Sequence, residues 1–206
     1  MSSSSVSSSR SQPHESWSPS ALALSRVAKE AATQACHEPS SVDSYRFEDA
    51  GLLDIPFVFN LTQEGAEAGV FSEDYLVGTG VVSLFKLLMR TILRHKWARL
   101  FRRKTSSALE IVYLDEEAIG FVFSITETHD TQIRKTISGC AILPEQRGHG
   151  HGIGMIRAYI AREPLHTEII ARCTKFAKAM QHTFRHLGFE RDSRQTLHMQ
   201  VYRLRV

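Results

Sequence analysis

Cysteine is scarce in this 206-residue chain, which has Cys36, Cys140 and Cys173 and no others. Three is an odd number and no two of them fall at a metal-ligand spacing. Neither a disulfide framework nor a metal site is therefore expected, and the chain reads as a reduced protein. A run of about 18 apolar residues, the length that crosses a bilayer, is also missing. So is the apolar stretch of a secretory signal peptide at the N-terminus. These absences point to a soluble, cytoplasmic protein. Neither sign of charge dominates, since 25 Lys and Arg stand against 22 Asp and Glu. The small positive balance suits an anionic ligand, and no stable nucleic-acid complex is expected from it. With 42% hydrophobic residues the chain can fill one core. One domain of ordinary size plus a tail is the expectation, without internal repeats.

The tail is legible from composition. Eleven of the first twenty residues are serine, and such a segment buries too little apolar surface to offset the entropy of ordering. Residues 1–42 are read as a disordered tail with a weak helical stretch at Ala21–Gln34, and 43–206 as the domain. A Ser-rich N-terminus also resembles the export signal of bacterial type III secreted proteins, so export stands beside the cytoplasmic reading. The domain begins with a short strand at Ser44–Phe47. A helix follows, entered by Asp54 as N-cap with Pro56 in its first turn. A longer helix is expected over Val81–Arg103, where Val81, Phe85, Leu88 and Ile92, joined by Leu84, Leu93 and Trp97, repeat at helical spacing. Its other face carries Lys86, Arg90, Arg94, Arg99 and Arg102, and no acid occurs between Asp74 and Glu110. Ala108–Leu114 and Ala118–Ile125 make an antiparallel hairpin, and Lys135–Leu143 a further strand. Beyond it come a helix at Gly152–Arg162, a strand at Glu168–Cys173, a helix at Lys175–Leu187 ended by Gly188, and a strand at Thr196–Arg203. The expected fold is mixed α/β, a mainly antiparallel central sheet with flanking helices.

Between the strand and the helix lies Gln146-Arg147-Gly148-His149-Gly150-His151-Gly152. Its glycines permit positive φ and leave backbone N–H groups unshielded, and the new helix adds the positive end of its dipole. That combination holds a phosphate or pyrophosphate. A P-loop would need Lys-Ser/Thr after its last glycine, where Ile153 and Gly154 stand. A dinucleotide fingerprint would follow the first strand of a βαβ unit. Here a hairpin precedes the loop, although Glu168 lies near the distance at which that fingerprint places its acid.

The loop resembles the coenzyme A loop of the GNAT acetyltransferases, Arg/Gln-x-x-Gly-x-Gly/Ala at a strand-to-helix junction. Pro144-Glu145-Gln146-Arg147-Gly148 is similar to the family's lead-in, and Phe184-Arg185-His186-Leu187-Gly188-Phe189-Glu190 to its last helix and next strand. The resemblance covers about residues 44–206. It implies the GNAT acyl-CoA N-acyltransferase fold, with acetyl-CoA as acetyl donor and a primary amine of a small molecule or protein as acceptor, attacking directly in a ternary complex. It further implies that Cys140, Ala141 and Ile142 run along the pantetheine through their backbone. Gln146, Arg147, Gly148, His149, Gly150, His151 and Gly152 would then hold the pyrophosphate, mainly through amides, with a side-chain contact from Arg147. The two loop histidines read as exposed spacers. A homodimer is compatible with this picture.

Amide formation needs a neutral amine, a polarised thioester carbonyl and a proton for the departing thiolate. Glu127, ahead of His129 and Asp130 at the end of its strand, is the first choice of base. The family's usual thiolate acid is a tyrosine four residues before the glycine of Leu-Gly-Phe, and here that position is Phe184. Tyr202, His182, Cys173 and His186 are the substitute acids, and the sequence does not choose between them. Two further readings stay open: a coenzyme A-binding protein with little catalysis, and an acetyltransferase effector directed to an acidic partner by its basic helix.

Overall fold

The computed structural model describes residues 44–98, 105–129, 132–192 and 199–206, with backbone alone at 95–98 and 129. These residues belong to the second of the chain's two units, Glu38–Val206. Five expectations lie outside them: the tail 1–42 with Ala21–Gln34, the segment 99–103 of the basic helix, the side chain of Trp97, Asp130, and the first residues, 196–198, of the last strand.

Along the chain, β1 (Tyr45–Asp49) leads to α1 (Ile55–Glu67) and α2 (Gly78–Ala98). The hairpin β2 (Thr105–Leu114) and β3 (Glu117–His129) follows, then β4 (Gln132–Ile142) and α3 (His151–Ala161). After these come β5 (Glu168–Thr174), α4 (Lys178–His186), β6 (Glu190–Arg191) and β7 (Met199–Arg205). The strands form one sheet in the order β1-β2-β3-β4-β5-β7-β6. β4 and β5 are parallel, as a strand–helix–strand connection through α3 requires, and the other pairs are antiparallel.

Each face of the sheet has its own core. Ile119, Val122, Ile137, Ile169 and Tyr202 pack with Met155, Ile156 and Tyr159 of α3 and Phe184 of α4. On the other face Leu109, Ile111 and Phe121 meet Val58 and Leu61 of α1 and Leu84, Leu88 and Ile92 of α2. The stripe of α2 is thus Leu84-Leu88-Ile92. Phe85 and Leu93, expected in it, are 47% and 45% exposed, because the next residue along a helix points about 100° away from its neighbour. Asp54 also departs from expectation. Its side chain makes no cap to α1; the carboxylate instead accepts the Gly51 N–H at 2.7 Å and closes the 3-10 turn Leu52–Asp54.

Two irregularities decide where strict alternation fails. In β3 the pairing passes from Val112↔Gly120 to Tyr113↔Ala118, leaving Ile119 as an extra residue. This bulge lets Ile119 and Val122 face one core while Phe121 faces the other. The neighbouring strand then runs so close that a Cβ on Gly120 would stand 2.2 Å from the Ala141 carbonyl oxygen. In β4 the pairing passes from Ser124↔Ile137 to Phe123↔Gly139, so Ser138 is extra. That bulge falls one residue past the last β4–β5 rung, Ile137↔Ala171, and bends β4 away from β5 there.

Candidate functional site

The parallel pairing of β4 and β5 spans four rungs, Arg134↔Glu168 to Ile137↔Ala171. Beyond it the strands part around a cleft. Two cavities occupy the cleft, of about 600 Å³ and about 530 Å³, and they share Val70, Phe71, Cys140, Phe176, Ala177 and Met180 in their walls. The smaller one runs along β4 towards the glycine-rich loop. Cys140, Ala141, Ile142, Gln146, Arg147, Gly148, Gly150 and Gly152 all line it.

At the end of this cavity the loop takes the shape that phosphate binding needs. Gly148 and Gly150 have φ of 82° and 83°, and nothing lies within 4 Å of where a Cβ on either would stand. Gly150 is also the N-cap of α3, with no side chain capping it. The Gly152 N–H stands in the first turn ahead of Ile153 and Gly154, whose amides donate to the Gly150 carbonyl. The cradle is open, built of amides and at the positive end of a helix, so a pyrophosphate fits it.

The side chains of the loop do other work. Arg147 Nε donates to the Ile142 carbonyl at 2.9 Å, and its Nη1 to Glu64 Oε1 at 2.8 Å. The guanidinium latches the loop to α1 and is not turned towards the cradle as the resemblance implies. His151 is no exposed spacer, since its Nδ1 lies 3.0 Å from the Tyr45 hydroxyl and the ring is half-buried. His149 is exposed, with its ring centroid 6.1 Å from that of His151.

The larger cavity opens on the other side of Cys140. Its far wall is Phe71 and the 3-10 turn Glu73–Leu76, which Ser72 caps and which carries Glu73, Asp74 and Tyr75 to the cavity. Its near wall is Ser138 of the bulge with Arg172, Cys173 and Thr174 of β5. Thr174 Oγ1 lies 3.3 and 3.1 Å from the carbonyls of Gly69 and Val70 and ties the two walls together. Sequence reasoning did not find this wall. The segment 69–77 has no motif and no period, and only the folded chain brings it opposite β5.

The proposed acids and base are scattered by the fold. Glu127 pairs with Arg134, whereas Cys140 pairs with Val122. Six residues of strand separate the two places, about 20 Å, and four separate Arg134 from Ser138 on the cavity wall, about 13 Å. Antiparallel register carries the end of β3 away from the cleft, so Glu127 is out of reach as a base. His129 lies two residues further along β3 and pairs with Gln132. His182 is exposed on the wall of the smaller cavity, and its ring stacks on His186, which lines neither. Phe184 is buried, 5.1 Å from Phe189 and 5.7 Å from Tyr202 between ring centroids, and forms part of the larger cavity's wall. Tyr202 lines neither cavity and its hydroxyl donates to Gln200 Oε1 at 2.9 Å. Burial pushes the Cys140 thiol up to about 12 and the Cys173 thiol up to about 11. Both are neutral thiols at pH 7. Among the described residues that line the two cavities, Tyr75 is the one phenol.

No protein-family model and no curated protein matches the sequence. Solved structures do match. An acetyltransferase of the GNAT family from Streptococcus agalactiae superposes with a TM-score of 0.59 at 15% identity, over 79% of this chain and 95% of that one. The chain has the fold of the GNAT acetyltransferases. The microcin C7 self-immunity acetyltransferase MccE, solved with acetyl-CoA and AMP, gives 0.57 at 12% identity over 82% and 98%. Spermidine N-acetyltransferase from Vibrio cholerae, solved with CoA and spermine, gives 0.53 at 15% identity over 80% and 95%. In this GNAT fold the parting of β4 and β5 and the glycine-rich start of α3 lie at one cleft. No described helix is long and apolar enough to cross a membrane.

Proposed function

We propose that the chain is an N-acetyltransferase that moves an acetyl group from acetyl-CoA to a primary amine by direct attack in a ternary complex. The observation that carries this reading is the cleft itself. A strand freed from its neighbour at the Ser138 bulge leads to two left-handed glycines at an uncapped helix start. Free strand amides can bond a pantetheine arm, and the cradle a pyrophosphate, so the residues present fit acetyl-CoA. Bound there, it supplies an activated acetyl group.

The protein's own residues do the rest. Amides of Cys140 to Ile142 and the loop Gln146 to Gly152 hold and orient the donor. The bulge at Ser138 leaves a backbone N–H outside the ladder, where it can polarise a carbonyl oxygen. The acceptor amine enters through the larger cavity, where Glu73 and Asp74 take up its proton. Tyr75 is the candidate donor of a proton to the departing sulfur. Cys173 is another proton-bearing candidate on the walls of that cavity, its thiol pushed up to about 11 by burial.

A coenzyme-binding protein with weak catalysis is the second reading, favoured by the phenyl ring of Phe184. The two are separated by titrating acetyl-CoA calorimetrically and then following free CoA with a panel of amines. Binding with turnover supports the transferase, binding without turnover the weak catalyst.

A further inference from the structure

The larger cavity carries both signs of charge on a mainly apolar wall. Glu73 stands on the 3-10 turn and Arg172 on β5, on opposite walls. Among the described residues neither side chain has a hydrogen-bond or ion partner, whereas Arg134, Arg147, Arg162 and Arg203 each hold a carboxylate within 2.9 Å. An arginine fork without a carboxylate at the mouth of a cavity matches a ligand carboxylate in geometry and charge. Between the two charges the wall is apolar, with Met180, Phe184 and Met199. The volume, about 600 Å³, falls within the usual span of small-ligand sites.

We propose that the acceptor is a free α-amino acid with an apolar side chain. Arg172 binds its carboxylate, Glu73 receives its ammonium group, and the side chain lies against Met180, Phe184 and Met199. This rests on the transferase reading and names its substrate class. A polyamine has no anion for Arg172 and would bring a second cation towards it. A simple apolar amine, or an amino acid amide, leaves the guanidinium with nothing to pair. In the reaction the ammonium proton passes to Glu73 and on to solvent. The nitrogen lone pair forms an N–C bond to the thioester carbon, the C–S bond breaks, and its electron pair leaves on sulfur, which takes a proton. Ammonium plus acetyl-CoA thus gives the N-acetyl amino acid, the CoA thiol and one proton.

The test uses the full chain with acetyl-CoA and follows free CoA with L-phenylalanine, L-methionine, L-phenylalaninamide, phenethylamine and spermidine. The two amino acids should exceed the other three at least tenfold in kcat/KM. Arg172→Ala should raise KM for the amino acids by ~10- to 100-fold, the range for losing a charged hydrogen-bond partner, and Arg172→Lys should recover part of the loss. The Kd for acetyl-CoA should stay as in wild type in both variants, which also reports that the exposed position tolerates the change. Equal or better turnover of phenethylamine or spermidine, or an equal loss for all five amines in Arg172→Ala, would overturn this inference and leave the transferase standing. Acetyl-CoA bound but no amine accepted would overturn the transferase reading with it.

Discussion

Phe184 presents a ring without a hydroxyl to a cavity whose chemistry needs a proton donor, and the phenol nearest in kind on the described walls is Tyr75. If Tyr75 protonates the leaving sulfur, Tyr75→Phe should lower kcat by ~10²-fold, the lower end for a positioned acid. The double variant Tyr75→Phe/Phe184→Tyr should regain much of that, since the new phenol arises on the same cavity. A kcat unchanged in Tyr75→Phe would assign the proton to Cys173 or to water. A separate residue-scale expectation concerns Glu168, whose carboxyl is held below its ordinary range by hydrogen bonds from Arg134 and then Arg203. A depressed acid stabilises the fold above its unfolded pKa, about 4.3, and that contribution is lost as pH falls through the folded value. Wild type and Glu168→Gln should therefore differ in unfolding free energy at pH 7, by about 1 kcal/mol given partly exposed arginines, and converge as pH falls through the depressed folded value. A gap that persisted in acid would assign the loss to packing. Phe184 and the glycines of the loop were legible because they stand in motifs. Glu73, Tyr75 and Arg172, the proposed acceptor side, were not, because only the fold brings Glu73 and Tyr75 of one segment to the same cavity as Arg172 of β5.

At the scale of elements, the sequence located nearly every strand and helix and misread how some of them face. Alternation in β3 and β4 is reset by the bulges at Ile119 and Ser138, and no residue type announces a bulge. The capping turn at Leu52–Asp54 escaped for want of a period, whereas the two-residue strand β6 starts at Glu190, where the motif resemblance put the next strand. The helix α4 begins at Lys178, three residues after its expected start at Lys175. The reason is visible in Gln181, whose Nε2 donates to the carbonyls of Thr174 and Lys175, each at 3.0 Å, and so engages the first turn from a side chain. Close packing of β3 on β4 has a direct consequence. Gly120→Ala sets a Cβ against the backbone of Ala141 and should cost about 2–3 kcal/mol, read as a lower denaturation midpoint with unchanged m. A midpoint within error of wild type would mean that the strands yield. On α2 the exposed side chains of Val82, Phe85 and Leu93 stand among Lys86, Arg90 and Arg94. If this surface recruits an acidic partner, reversing the three charges should abolish binding that weakens steeply with salt while acetyl-CoA affinity is kept. No salt-dependent association with anionic lipid, nucleic acid or acidic peptide would leave it a solvated face.

For the whole molecule, the fold came from the sequence through one loop and one helix end, while the acceptor side came only from the folded chain. The Ser-rich tail enters as composition, and on that ground the chain 43–206 is expected to melt within a degree or two of the full chain. A larger drop would show that residues 1–42 stabilise the domain. Fusion of the tail to a reporter in a secretion-competent host decides export, and a reporter retained inside would count against it. The central claim is that the loop from Gln146 to Gly152 holds acetyl-CoA for transfer. Its most direct test is calorimetric titration of acetyl-CoA into wild type and into Gly148→Val/Gly150→Val, with circular dichroism to show that both are folded. The account predicts one site per chain in wild type and a loss of at least tenfold in affinity in the variant, because a β-branched residue resists positive φ and projects into the cradle. Equal affinity in two folded proteins would contradict it.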